Sequence, residues 1–332
     1  MVNKLKILSD WNNGLAAYTI PHKNHKNLES ENDVEIKFIN KVNNEYIQNC
    51  EAYFGNIPNL NILDKMHNLK WVHFGSAGID KIPKEYIKDR ELTITNIGDT
   101  NAYALATFCF GEIFSSCKIN KVPLKKRLSK DLSRDEYDKN FDDLIDFNMI
   151  NLCILGYGRT SEIICNNLTR IVNSISVLTN RVLKDNQKVR FYNRKELREC
   201  LANATHIVNL LSLNDKNREF VNKDFFDKLE SQPYFINVGR SETTNIDDLK
   251  NAVKEKKISG ATIDVHGLPG GEIAAELQDE ELFILTPHIG GWTNSFWKKN
   301  CEILDHNIKI FRNGGLYEMH NLLYENGNEV KN

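Results

Sequence analysis

Long apolar runs are missing from this 332-residue chain. No stretch approaches the ~20 consecutive apolar residues of a membrane-spanning helix, so a helical membrane protein is excluded. A surplus of one charge is missing too: 43 Lys and Arg stand against 45 Asp and Glu, a formal charge of −2. That balance argues against nucleic-acid binding by bulk charge. With 18 glycines and 7 prolines, the chain is neither collagen-like nor of low complexity. The seven cysteines (Cys50, Cys109, Cys117, Cys153, Cys165, Cys200 and Cys301) are odd in number, scattered and without a C-x-x-C pair. They read as free thiols, several of them buried, rather than as a zinc site or a disulfide framework. The opening MVNKLKILSDWNNG has too short an apolar core for a signal peptide, and a cytoplasmic location is expected. What is present is ordinary for a globular protein: 41% hydrophobic and 27% charged residues, in a length that suits two domains at ~150 residues each.

Short apolar segments alternate with polar or amphipathic ones. KLKIL (4–8), VEIKFI (34–39), AYFG (52–55), KWVHF (70–74) and LTITN (92–96) read as strands. A longer apolar helix is predicted from Asn101 to Cys117. After it, KVPLKKRLSKDLSRDEYDKNFDDL reads as a solvated helical arm or connection. A second series opens at Met149. Strands in MINLCIL, SISVLTN, VRFYN, THIVNLL, PYFINVG, GATIDV and LFILTPHIGG are interspersed with helices in SEIICNNLTRIV, DFFDKL and IDDLKNAVKEK. A last helix runs from about Asn294 to Arg312. Alternation of this kind defines an α/β protein with parallel sheets.

MINLCIL runs into Gly156-Tyr157-Gly158-Arg159-Thr160-Ser161 and then a helix. The first glycine permits a tight turn and the second lets backbone approach a pyrophosphate. An ordinary βα turn shares this local pattern, but its place at the head of a βαβ unit favours dinucleotide binding. Ser161 stands where the third glycine of such a turn belongs. The next strand ends in Thr179, Asn180 and Arg181, with no carboxylate to hold an adenosine ribose. A guanidinium there suits a 2′-phosphate, so NADP is expected ahead of NAD. The alternative is a solvated turn arginine and weak selectivity.

FINVGRSETTNIDDL, GATIDV and TPHIGGWT follow in that order, and YFGNIPNLNILDKMHNLKWVHFGSAGID lies upstream. Together these segments resemble the NAD(P)-dependent, D-isomer-specific 2-hydroxyacid dehydrogenases. The resemblance spans almost the whole chain and is weakest between about Ile119 and Asn148. It implies two Rossmann-like, doubly wound lobes. A cofactor lobe (99–291) would be inserted in a flavodoxin-like substrate lobe (1–98 and 292–332). It also implies a small 2-keto or 2-hydroxy acid as substrate, and a homodimer formed through the cofactor lobe by helix 101–117 and the arm. No nucleic-acid or membrane partner and no metal are expected.

Reducing a 2-keto acid requires a grip on the carboxylate, polarisation of the carbonyl, a proton and a hydride. The resemblance gives Arg240 the first two tasks, which a guanidinium can perform together. It makes His288 the acid and base. Ser76, Ala77 and Gly78 match the loop that holds the substrate carboxylate on backbone N–H groups. Asp264 matches the position that bonds the nicotinamide amide. Leu211, Ser212, Val238, Gly239 and Gly290 join Gly156–Thr160 and Thr179–Arg181 around the cofactor. Trp292, Trp297, Phe54 and Tyr53 are candidates to narrow the substrate pocket.

Three positions depart from the family pattern. The glutamate expected to face the histidine is Pro269, and the nearest acid is Glu272, after Gly270-Gly271. Ser241 and Ser161 replace glycines. Without a carboxylate partner His288 is expected to titrate near the ordinary imidazole value of ~6.5, or lower if buried, so reduction is expected to slow above neutral pH. His266 is the other titratable group nearby. The leading reading is a 2-keto acid reductase or 2-hydroxyacid dehydrogenase. Its alternative is a catalytically impaired, NAD(P)-binding regulatory or interaction protein. A third reading is chemistry with a formate-type hydride donor, although that family carries glutamine where this chain has Pro269.

Overall fold

The computed structural model describes residues 4–12, 14–56, 59–80, 82–130, 132–186, 188–266, 275–278 and 281–330. The chain divides into two compact units, one formed by residues 1–101 and 292–332 and the other by 102–291.

The first unit begins with β1 (Leu5–Ser9), helix α1 (His22–Asn32), β2 (Val34–Phe38), β3 (Ala52–Gly55), β4 (Trp71–Phe74) and β5 (Thr93–Asn96). These five strands are parallel, in the order β5-β4-β3-β1-β2. The order reverses between β1 and β3, which opens a crevice at their carboxyl ends. The strand residues are mostly apolar on both faces because both faces are covered. Ile7, Phe54 and Trp71 pack on one side, with Trp11, Trp297, Leu304 and Ile308. Leu8, Tyr53, Val72 and Phe74 pack on the other, with Leu63 and Ile87.

The second unit opens with helix α2 (Ala102–Ser116). Its sheet comprises β6 (Asn151–Leu155), β7 (Ser174–Leu178), β8 (Val189–Tyr192), β9 (His206–Asn209), β10 (Tyr234–Asn237), β11 (Gly260–Ile263) and β12 (Phe283–Leu285). All seven are parallel, in the order β12-β11-β10-β9-β6-β7-β8. Helix α3 (Arg159–Leu168) follows β6, and α4 (Ile246–Lys254) follows β10. Leu152 and Ile154 face α2 and α3, while Cys153 and Leu155 face the opposite core with Phe225 and Leu249. This is a doubly wound sheet whose switch point lies between β6 and β9.

The chain then returns to the first unit as α5 (Phe296–Asn313), β13 (Leu322–Glu325) and β14 (Asn328–Glu329). β13 adds to β5 antiparallel and β14 completes a hairpin. Both units are thus α/β sheets of the expected class.

Of the two readings of the charged stretch, arm or connection, the structure has the connection. It consists of short turns, Leu124–Arg127 and Asp135–Asp138, with 3-10 turns at Phe141–Asp143 and Phe147–Met149. All seven cysteines are free and six are buried; Cys153 and Cys200 bring their sulfurs to 3.6 Å. Among the described residues, no helix is long and apolar enough to cross a membrane.

Candidate active site

The glycine turn sits at the carboxyl end of β6. Gly156 has φ +96°, a left-handed conformation that suits glycine, and donates its N–H to Leu178 O at 2.9 Å. A Cβ on Gly158 would meet nothing within 4 Å, so open space lies over the backbone where α3 begins. Among the described residues, no hydrogen bond is donated by the backbone N–H of Thr160 or Ser161. The space and the free N–H groups fit a pyrophosphate. Ser161 is buried and donates its hydroxyl to Gly156 O at 2.8 Å. The missing third glycine is thereby turned into a clasp on the first. Arg159 is ion-paired with Glu162 at 2.8 Å.

The adenosine-side residues follow from sheet order. β7 lies next to β6, so Thr179, Asn180 and Arg181 emerge beside the glycine turn. Thr179 N–H donates to Tyr192 O at 2.8 Å, and Arg181 N–H to Thr179 Oγ1 at 3.1 Å. The Arg181 side chain is exposed. Tyr157 packs edge-on to Phe191, with ring centroids 5.2 Å apart.

Arg240 is delivered by a buried amide network that sequence reading did not single out. Asn209 ends β9 and Asn237 ends β10, and both are fully buried. Asn209 Nδ2 donates to Asn237 Oδ1 (3.2 Å) and Thr243 Oγ1 (2.8 Å), while its Oδ1 accepts Leu211 N–H (3.2 Å). Asn237 Nδ2 donates to Thr244 Oγ1 (3.3 Å), and its Oδ1 accepts Gly239 N–H (3.3 Å). Thr243 hydroxyl then donates to Arg240 O at 2.6 Å. These bonds draw Leu211, Gly239 and Arg240 together; Val238 N–H joins them by donating to Asn209 O at 3.2 Å. Arg240 is half-buried, with Nη1 donating to Gly239 O at 2.9 Å. Ser212 is exposed, and its carbonyl accepts from Asn217 Nδ2 at 2.7 Å. Ser241 bonds its neighbour Glu242 at 2.8 Å.

His288 follows β12 on a loop that Asp264 clasps. Buried Asp264 accepts Thr286 hydroxyl (2.6 Å) and Ile289 N–H (2.9 Å) on Oδ1, and Gly290 N–H (2.9 Å) on Oδ2. A Cβ on Gly290 would meet Asp264 Oδ2 at 2.9 Å and Leu105 Cδ1 at 3.0 Å, so the clasp needs glycine there. His288 is exposed and has φ +57°, an uncommon conformation for a residue with a side chain. His266 Nε2 donates to Thr286 O at 2.8 Å and buttresses the same loop. Pro269, Gly270, Gly271 and Glu272 lie outside the described residues.

In the first unit, Ser76, Ala77 and Gly78 follow β4. Ser76 hydroxyl donates to Gly78 O at 2.8 Å. Three of the four aromatics offered as pocket walls are core: Tyr53, Phe54 and Trp297 are 1%, 0% and 9% exposed. Phe54 and Trp297 contact Trp11. Trp292 is exposed and meets Tyr18 edge-on, with centroids 6.0 Å apart.

A doubly wound sheet with a glycine turn at its switch point has the build of a dinucleotide-binding protein. The family model for the NAD binding domain of D-isomer specific 2-hydroxyacid dehydrogenases matches residues 125–290. Solved structures with the same fold include a D-lactate dehydrogenase from Aquifex aeolicus complexed with NAD and lactic acid. It is 18% identical with a TM-score of 0.75, over 96% of this chain and 98% of that one. An NADPH-dependent glyoxylate/hydroxypyruvate reductase from Sinorhizobium meliloti, in complex with NADP and malonate, is 17% identical with a TM-score of 0.77, over 99% and 100%. An NAD-dependent formate dehydrogenase from Staphylococcus aureus, in complex with NAD, is 14% identical with a TM-score of 0.78, over 93% and 96%. The chain belongs to the D-isomer specific 2-hydroxyacid dehydrogenase family of oxidoreductases, and residues 125–290 are its NAD binding domain.

Proposed function

We propose that this protein interconverts a small 2-keto acid and its D-2-hydroxy acid with a nicotinamide cofactor. Residues 99–291 serve as the cofactor domain and 1–98 with 292–332 as the substrate domain. The observation that carries the reading is the clasp of Asp264 on the His288 loop. Three hydrogen bonds to a buried carboxylate fix the loop that presents an exposed histidine.

When bound, the reduced nicotinamide supplies the hydride. The backbone of Ser76, Ala77 and Gly78 holds the substrate carboxylate. Arg240 contacts carboxylate and carbonyl together and stabilises the charge that develops on oxygen. His288 gives that oxygen a proton, and takes it back in the reverse direction. Asp264 fixes the histidine loop, and Gly156, Gly158 and the start of α3 seat the pyrophosphate. The test is reduced-nicotinamide consumption with glyoxylate, hydroxypyruvate, pyruvate, oxaloacetate and bulkier 2-keto acids. Turnover of at least one supports the reading, and no turnover with any of them counts against it.

NADP is the proposed preference, through Arg181. A charge-assisted pair to a 2′-phosphate contributes ~1.5–3 kcal/mol, so NADPH should bind about tenfold or more tighter than NADH. Arg181→Ala should bring the two dissociation constants within about twofold. Equal constants in the unaltered protein would remove the proposal.

The proposed assembly is a homodimer through α2 and the segment after it. That stretch exposes large apolar side chains, among them Tyr103 (60%), Leu128 (78%), Phe141 (69%) and Phe147 (56%), more than a monomer usually leaves in one stretch. Leu128→Asp with Phe141→Asp should weaken the dimer about 100-fold or more, read by sedimentation equilibrium. A wild-type monomer at micromolar concentration would refute the assembly.

A further inference from the structure

We infer that Asn96 is the positioning residue of the Ser76–Gly78 loop, aiming its backbone N–H groups at a substrate carboxylate. The inference rests on the dehydrogenase reading and adds to it the group that sets the loop's polarity. Asn96 ends β5 and pairs with Phe74, two residues before the loop. It is 5% exposed. Its Nδ2 donates to Ala77 O at 2.6 Å, and its Oδ1 accepts Gly98 N–H at 2.8 Å. The two bonds fix the amide orientation, because a flip would set oxygen against oxygen and N–H against N–H.

A trans peptide points its C=O and its N–H in opposite directions. Asn96 draws Ala77 C=O toward itself, which turns the Gly78 N–H away from β5. The hydroxyl of Ser76 holds Gly78 C=O in the same manner and turns the Ile79 N–H away from that side chain. Among the described residues, no hydrogen bond is donated by the backbone N–H of Ser76, Ala77, Gly78 or Ile79. Four successive N–H groups are therefore open to an anion, with two of their peptides locked. The other end of the Asn96 amide holds Gly98, three residues before the first unit's opening segment ends at Asn101. One buried side chain thus ties the carboxylate loop to the 3-10 turn, Gly98–Asn101, that leads into α2.

The test compares wild type, Asn96→Asp and Asn96→Ala under saturating reduced cofactor. It measures oxalate binding by calorimetry, and kcat and KM for the best 2-keto acid. Asn96→Asp is isosteric and still accepts the Gly98 N–H, but offers Ala77 no donor. Both variants should raise KM and the oxalate dissociation constant about tenfold or more, with kcat changed less than about threefold and cofactor affinity within about twofold. A rise in the uncharged variant as well separates lost alignment from repulsion by the new carboxylate. If Asn96→Ala does not fold, Asn96→Asp decides by the same criteria. KM and oxalate affinity within about twofold of wild type, or a parallel loss of cofactor affinity, would overturn the inference alone. Wild-type protein that neither reduces a 2-keto acid nor binds oxalate would overturn the underlying reading as well.

Discussion

Replacing Arg240 by alanine should lower kcat/KM for the preferred 2-keto acid by about a thousandfold, with folding intact. The size follows from the two tasks assigned to one guanidinium, since removing a single preorganised donor to a developing oxyanion already costs about 10²–10³ in rate. The selectivity follows from the structure. The segment is anchored by backbone bonds and by Asn209, Asn237 and Thr243, none of which needs the Arg240 side chain. Arg240→Ala should therefore leave the melting temperature and cofactor affinity close to wild type. Arg240→Lys should recover only part of the loss, because an ammonium restores charge without the bidentate fork. Turnover in Arg240→Ala within about threefold of wild type would sink the assignment. It would favour the alternative in which the chain binds NAD(P) for regulation.

The reach of sequence reading was set by where the apolar signal lies. AYFG and GATIDV read as strands because both sheet faces are covered and every position is buried; the strands end at Gly55 and Ile263. Helix α1 went unread for the opposite reason. His22–Asn32 is almost wholly polar, with only Leu28 and Asn32 buried. Specific bonds tie it to α5: Asn32 Nδ2 donates to Asp305 at 3.0 Å, and Arg312 caps its carboxyl end. Periodicity cannot reveal a helix held by bonds at its carboxyl end. The β13–β14 hairpin did carry a signal. Asn326-Gly327 has the left-handed pair, φ +47° and +81°, that the tightest hairpin turns require.

The site was legible where chemistry is written in motifs and illegible where it is written in contacts. Gly156, Arg240 and His288 stand in recognisable strings. Asn209 and Asn237 do not, because a strand-end asparagine looks like any other until its partners are known. Asp264 shows the same gap. The resemblance assigns it to the nicotinamide, and its three hydrogen bonds to the histidine loop leave no mark in the sequence. Ser161 read as a tolerable departure from the glycine pattern, and its hydroxyl closes the turn. Such compensation depends on a distance, and spacing along the chain does not encode distances.

Mild acid should destabilise both units through one buried histidine in each. His73 is fully buried beneath Trp11. Asn300 Oδ1, 3.1 Å from Nε2, can only accept, so Nε2 carries the proton and Nδ1 accepts Thr95 hydroxyl at 2.8 Å. Trp71 Nε1 donates to that hydroxyl at 2.8 Å and completes the chain. A second proton on His73 would set two donors on Thr95 and bury a charge; burial pushes its pKa down to about 4. His206 is 2% exposed, lies between Ser116 and Thr205 hydroxyls at 2.9 Å each, and is pushed down by burial to about 3. The folded values lie below the ~6.5 of an unfolded histidine, so the unfolded chain takes up protons first. The stability is fully present above pH ~6.5 and is lost as pH falls toward 4 for His73 and toward 3 for His206. At pH 5 each site should have lost ~2 kcal/mol, a large share of a typical 5–15 kcal/mol. His320, stacked on His306 and also held low by burial, adds in the same direction. Urea unfolding at pH 7.5 and 5.0 measures the difference. His73→Gln and His206→Gln should each remove about one proton from the pH dependence while lowering stability at neutral pH. Equal stability at the two pH values would mean that both imidazoles take up their protons in the folded state.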